Sequence, residues 1–177
     1  MKYIALNGFG HRLNRYFNDS VECPFQVNWT ERNAIDLARS LTEPTTIIGF
    51  SDGATAALTV ANHSPHVVRC HAHSPMFRKE RRYRPCRISL YISSGDKTPT
   101  WDATYRVYNH YLKNVPDHNI TYEILPIKYH QPIRDVATLV MRWKNHQFHN
   151  CLSRFPPEIV NPSYLRYHNK KVYNHDN

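Results

Sequence analysis

Residues 45–58 read TTIIGFSDGATAAL, and the fold turns on how Thr45 to Leu58 is interpreted. Thr45, Thr46, Ile47 and Ile48 form a β-branched run of strand length. It breaks at Gly49-Phe50-Ser51-Asp52-Gly53 and passes into small residues with a helical bias, so the stretch predicts a strand, a sharp turn and a helix. At such a turn the serine is held in a strained backbone conformation that lifts its hydroxyl clear of the sheet. Both glycines are expected because a β-carbon at either place would collide with neighbouring backbone. The helix that follows directs its first N–H groups at the same spot, where a developing oxyanion could be received.

On the N-terminal side, Ala34, Leu37, Ala38 and Leu41 recur at helical spacing, so 31–41 is expected to be an amphipathic helix capped by Thr30 and ended by Pro44. Before it, 24–29 (PFQVNW) alternates and predicts a short strand. The first strand is 2–7 (KYIALN), closed by Gly8-Phe9-Gly10. On the C-terminal side, 66–72 (HVVRCHA) is the next strand. His71 and His73 share one of its faces, but no third ligand stands at a metal-binding spacing, so no metal site is read there.

A dense basic run follows: Arg78, Lys79, Arg81, Arg82, Arg84 and Arg87, with Glu80 its only acid. It reads as a solvated crossover or as a docking surface for phosphate or another polyanion. Strand 87–93 ends in Ser94-Gly95-Asp96. A helix capped by Thr100 carries Trp101, Tyr105, Tyr108 and Leu112 on one stripe. The last strand is 120–128, where Pro126 marks an edge or the end of pairing. His130 follows it, and Val136, Leu139, Val140 and Trp143 mark a buried face on a final helix over 133–148.

The 177 residues suit one domain with a substantial core, and 41% hydrophobic content argues against disorder. No run has the length of a transmembrane helix, and Met1 leads directly into a strand, so a cytoplasmic protein with no membrane span is expected. Cys23, Cys70, Cys86 and Cys151 form no CxxC pair and are expected to be free thiols. The net charge of +9 favours anionic partners without saying which. Oligomeric state is not legible.

The only five glycines, Gly8, Gly10, Gly49, Gly53 and Gly95, all fall at or just after the ends of expected strands. In a parallel sheet these ends gather at one edge, where such folds bind ligands. Gly49-Phe50-Ser51-Asp52-Gly53 is the G-x-S-x-G nucleophile elbow, and with Ser51, Asp96 and His130 in that chain order, residues 2–149 resemble the α/β-hydrolase superfamily. The resemblance is to a small, lidless serine esterase-like member. It implies an α/β fold of about six mostly parallel strands, helices on both faces and no lid domain, with 150–177 a C-terminal tail, docked or partly mobile.

The resemblance also implies roles. Ser51 is the nucleophile, His130 the general base, and Asp96 the acid that orients the histidine; the oxyanion amides are those of Asp52 and Phe9, with Gly10 a neighbouring alternative. Asn7 stands where the family often has histidine. The charged Asp52 after the nucleophile reads as stabilising the helix N-terminus, ahead of a role in attracting a cationic substrate. The reaction implied is hydrolysis of a carboxylic ester or thioester through an acyl-enzyme, with no metal or organic cofactor. The alternatives are an acyltransferase with the same triad, or a catalytically silent scaffold holding nucleic acid or another polyanion through 78–87. The expected partner is a small-molecule or acyl-ester substrate, which the basic charge allows to be anionic; nucleic acid is the less favoured partner.

Overall fold

A computed structural model describes residues 1–10, 17, 19–79, 82–84, 86–93, 95–115 and 119–125. Among these residues five strands, β1 (Lys2–Leu6), β2 (Thr45–Phe50), β3 (Val67–His73), β4 (Arg87–Ser93) and β5 (Ile120–Leu125), lie in the order of the chain. All four pairings are parallel. Three helices accompany them: α1 (Glu31–Ser40), α2 (Asp52–His63) and α3 (Thr98–Leu112). Parallel neighbours need a crossover, and right-handed crossovers that step repeatedly in one direction deliver their helices to one face. The contacts agree: α2 packs on β1, β2, β3 and α1, and the buried Asn62 of α2 donates to the Tyr111 hydroxyl of α3 at 2.6 Å. The remaining predicted helix, 133–148, lies outside the described residues, as do the proposed tail 150–177 and its boundary.

Local sequence accounts for these elements. Thr30 caps α1, its hydroxyl accepting the Asn33 N–H at 3.1 Å while the Asn33 side chain accepts the Thr30 N–H. This reciprocal capping box contributes about 1 kcal/mol. Ala34 and Ala38 then face inward. In α2 every residue from Gly53 to Asn62 is buried, which explains its alanines: a helix between the sheet and a neighbouring helix has no room for long side chains. Ile4, Leu6, Ile47, Cys70, Ala72, Ile88 and Leu90 point from the sheet into the same core. Burying each large aliphatic side chain contributes roughly 1.5–3 kcal/mol.

Two expectations are corrected. Residues 24–29 are not a strand. Glu22 alone bridges Ile4, with its N–H on the Tyr3 carbonyl and its carbonyl on the Ala5 N–H. The next donor along that edge would come from residue 24, and Pro24 has no N–H to give, so the ladder stops. The cap of α3 is Lys97, not Thr100. Cys23, Cys70 and Cys86 are free thiols; burial raises Cys86 to about 11 and pushes Cys70 well above the ordinary thiol range. No helix among the described residues is long and apolar enough to cross a membrane.

Candidate active site

The sheet's register carries Gly49, Ala72, Leu90 and Tyr122 side by side, so the C-terminal ends of the strands share one edge. Ser51 sits there between β2 and α2 at φ 55, ψ −118. Only Ser51 and Ser74 among the described non-glycine residues have positive φ, a conformation that costs roughly 1–3 kcal/mol and persists only where its surroundings enforce it. The enforcement is visible. The Ser51 N–H donates to the His73 carbonyl at 2.8 Å, and its own carbonyl accepts from Ala54 and Thr55 at the start of α2. The Ser51 hydroxyl makes no cap bond to the helix it precedes.

Close approach explains the two elbow glycines. A β-carbon on Gly49 would lie 2.2 Å from the Gly53 carbonyl oxygen, and one on Gly53 would lie 2.3 Å from that of Leu6 and 2.4 Å from that of Asn7. The elbow is therefore pressed against the end of β1. The loop after β1 is adjacent too: a β-carbon on Gly8 would stand 3.2 Å from the Ser51 β-carbon. Gly10 is at φ +66, and its N–H is committed to the Val27 carbonyl at 3.2 Å. The Phe9 side chain is exposed. The Asp52 carboxylate accepts the Trp29 N–H at 2.6 Å, so it is occupied within the protein.

Asp96 lies beyond β4 at the same edge, after the exposed Gly95, and only 1% of it reaches solvent. It accepts a 2.6 Å hydrogen bond from the Ser74 hydroxyl, and its N–H donates to the Ser93 carbonyl. Ser74 follows the residue that receives the Ser51 N–H, so one short connection spans from the elbow to the buried carboxylate. The segment after Ser74 is stapled to two helices. Thr55 of α2 exchanges bonds with both backbone groups of Met76, and Thr104 of α3 donates to the Pro75 carbonyl. His130 lies outside the described residues.

Ser74 and Asn7 went unread as site residues in the sequence. A serine before proline at the end of a strand is a weak signal for a bent terminus; nothing nearby announced its carboxylate partner, which comes 22 residues later. His71 and His73 both lie buried on β3. Each reaches across to β4, His71 to the Tyr91 hydroxyl and His73 to the Ser93 hydroxyl, both at 2.9 Å. Burial holds His71 neutral, its pKa lowered to about 3 with a smaller contribution from Arg69.

Of the basic run, Arg81 is not described, Arg87 opens β4, and Arg78, Lys79, Arg82 and Arg84 precede it. Among the described residues none of these four cations has a carboxylate partner, and Nη1 of Arg78 is buried without a hydrogen-bond partner. Phe77 and Tyr83 pack edge-on against His110 near the far end of α3, away from the elbow. Burial lowers the His110 pKa, with further contributions from Lys79 and Lys113.

No family model matches the chain, and no curated protein matches it. Solved structures do. The chain is similar to a carboxylesterase from Mesorhizobium loti, with TM-score 0.58 and 13% identity over 81% of this chain and 88% of that one. It is similar to Arabidopsis thaliana SOBER1, with TM-score 0.60 and 11% identity over 82% and 98%. It is also similar to Zea mays acyl-protein thioesterase 2, with TM-score 0.57 and 11% identity over 83% and 93%. The parallel sheet, the strained serine at the end of β2 and these likenesses define an α/β-hydrolase fold.

Proposed function

We propose that the chain is a serine hydrolase that cleaves a carboxylic ester or thioester through an acyl-enzyme on Ser51. The observation that carries this reading is the strained Ser51 at a strand-to-helix junction, its hydroxyl not used as a cap, beside a loop and a helix start that offer backbone amides. A serine hydroxyl is a weak nucleophile until a base takes its proton. His130 takes that proton as Oγ attacks the acyl carbon, then returns it to the departing alcohol or thiol; water repeats the cycle and releases the acid. Asp96 holds the imidazole in the productive tautomer, and the Phe9 and Asp52 amides receive the oxyanion. One oxyanion donor is worth roughly 3 kcal/mol. The names of the similar structures, carboxylesterase and acyl-protein thioesterase, support the ester and thioester class. An acyltransferase would use the same intermediate and differs only in accepting an alcohol or amine in place of water.

The test is labelling with a fluorophosphonate probe, read by intact mass on the native protein and on Ser51→Ala. One adduct, absent from the variant, is the expected result. No adduct on folded native protein overturns the reading.

A second reading rests on Arg78, Lys79, Arg82 and Arg84, which have no carboxylate partner among the described residues. It makes this face a docking surface for a polyanion such as single-stranded nucleic acid, whether or not Ser51 is active. Binding of a labelled oligonucleotide that weakens steeply with salt, disappears on charge reversal at Arg82 and Arg84, and survives Ser51→Ala is the expected outcome. Binding indifferent to those reversals removes it.

A further inference from the structure

We propose that residues 26–29 are a brace that sets the distance between the two amides of the oxyanion hole, with Asn7 and Asp52 as positioning residues that act through it. The proposal rests on the reading of Ser51 as a nucleophile.

The brace is built from one side chain used to capacity. A carboxamide can donate twice and accept twice, and Asn7, 2% exposed, does all four. Its Nδ2 donates to the Gln26 carbonyl at 2.6 Å and to the Gly8 carbonyl at 2.7 Å; its Oδ1 accepts the Gln26 N–H at 3.1 Å and the Trp29 indole N–H at 3.2 Å. The pairing with both backbone groups of Gln26 is that of a neighbouring strand. Asn7 thus takes over, with its side chain, the pairing that Pro24 interrupts. One residue beyond Phe9, the Gly10 N–H reaches Val27, so the loop is tied to the same segment on both sides of Phe9.

The other end of the segment is tied to the elbow. Trp29 is buried in the core, and its N–H donates to the Asp52 carboxylate at 2.6 Å. Asp52 supplies the second oxyanion amide. The two donors therefore belong to loops remote in sequence, joined through a four-residue rung whose ties to Asn7 and Asp52 are buried or part-buried, while the Gly10–Val27 bond lies between exposed residues. An oxyanion hole works because its donors are already aimed at the place where charge develops. A rung that fixes their separation supplies that preorganisation without touching the substrate.

Three variants test this: Asn7→Ala, Asn7→Asp, which keeps the size but turns the two donors into acceptors facing carbonyls, and Trp29→Phe, which removes the indole N–H and shrinks the buried ring. The readouts are the second-order rate of fluorophosphonate labelling at Ser51, its pH profile, kcat and KM on an aryl ester, and Tm. Because a displaced donor forfeits part of the stabilisation that a deleted one loses, both Asn7 variants should label and turn over at least about tenfold more slowly. Trp29→Phe should be slowed about threefold, less than the Asn7 variants because it removes one of the four hydrogen bonds and leaves the other three. In each folded variant the loss falls on kcat, KM stays within about twofold, and the pH profile keeps its midpoint, since the base is untouched. Wild-type rates in folded Asn7 variants, or a loss confined to KM, overturn the brace. If Asn7 variants do not fold, Trp29→Phe decides by the same criteria. Failure of the wild-type protein to label overturns the nucleophile reading, and the brace with it, and is distinguishable because no variant is needed to see it.

Discussion

The Ser74 hydroxyl donates a 2.6 Å hydrogen bond to the Asp96 carboxylate, and both residues are sealed from solvent. The bond joins the end of β3 to the turn after β4. It also explains why Ser74 is held at φ 54: the turn that aims its hydroxyl across to the next strand's end is one that serine adopts only under constraint.

Ser74→Ala should therefore destabilise the fold by about 1.5–3 kcal/mol, the range for a buried hydrogen bond to a charged group. Urea denaturation at pH 7 measures it. An unchanged midpoint would show that Asp96 does not depend on this donor.

The glycines of the elbow should differ sharply from the glycine of the neighbouring loop. At Gly53 an alanine methyl meets two carbonyl oxygens within 2.4 Å, whereas at Gly10 it meets nothing within 4 Å and faces only the cost of φ +66. Gly10→Ala is expected to cost about 1–2 kcal/mol. Gly53→Ala is expected to cost several times that or to prevent folding, because backbone on both sides must move. Thermal melts of the two variants check the order, and equal Tm values would contradict it.

His71 predicts acid sensitivity. Its folded pKa is about 3 and its ordinary value 6.5, so the unfolded chain binds its proton first as the pH drops. The stability contributed by the neutral, buried ring is complete above about pH 6.5 and is lost progressively toward pH 3, on the order of 3–5 kcal/mol in all. His71→Gln, which retains a polar group near Tyr91, should flatten the fall in stability between pH 6.5 and 4. A slope identical to wild type would refute the assignment.

Glu123 works in the opposite sense. It faces Tyr91 across the β4–β5 pairing, and burial raises its pKa from 4.5 to about 7. The folded protein keeps a proton that the unfolded chain releases, so this group's unfavourable contribution grows between pH 4.5 and 7 and is complete above that. Because Glu123 is only part-buried, the effect is discounted to about 1 kcal/mol. Glu123→Gln should melt about 2–4 °C higher than wild type at pH 8 and equally at pH 4.5. A gain that is the same at both values would assign the effect to packing.

The elements legible in the sequence are those governed by neighbours along the chain. The run from Thr45 to Leu58 declares its strand, elbow and helix because β-branched residues, glycines and alanines each limit the backbone locally. Thr30 with Asn33 and the inward Ala34 and Ala38 do the same for α1. The alternation of 24–29 was misleading because period two reports which side chains face inward, not which groups pair with the backbone; Pro24 and Asn7 together decided that.

The sequence by itself therefore determined the strand-turn-helix order, the strained serine and the position of Asp96 after a strand. Only the tertiary structure decided that Asn7 pairs with Gln26 and Trp29, that Asp52 is occupied by Trp29, and that Ser74 serves Asp96. These are contacts across 19 to 23 residues. Buried polar groups must find partners somewhere, but which partner depends on how the strand ends converge in space, and local propensity carries no record of that.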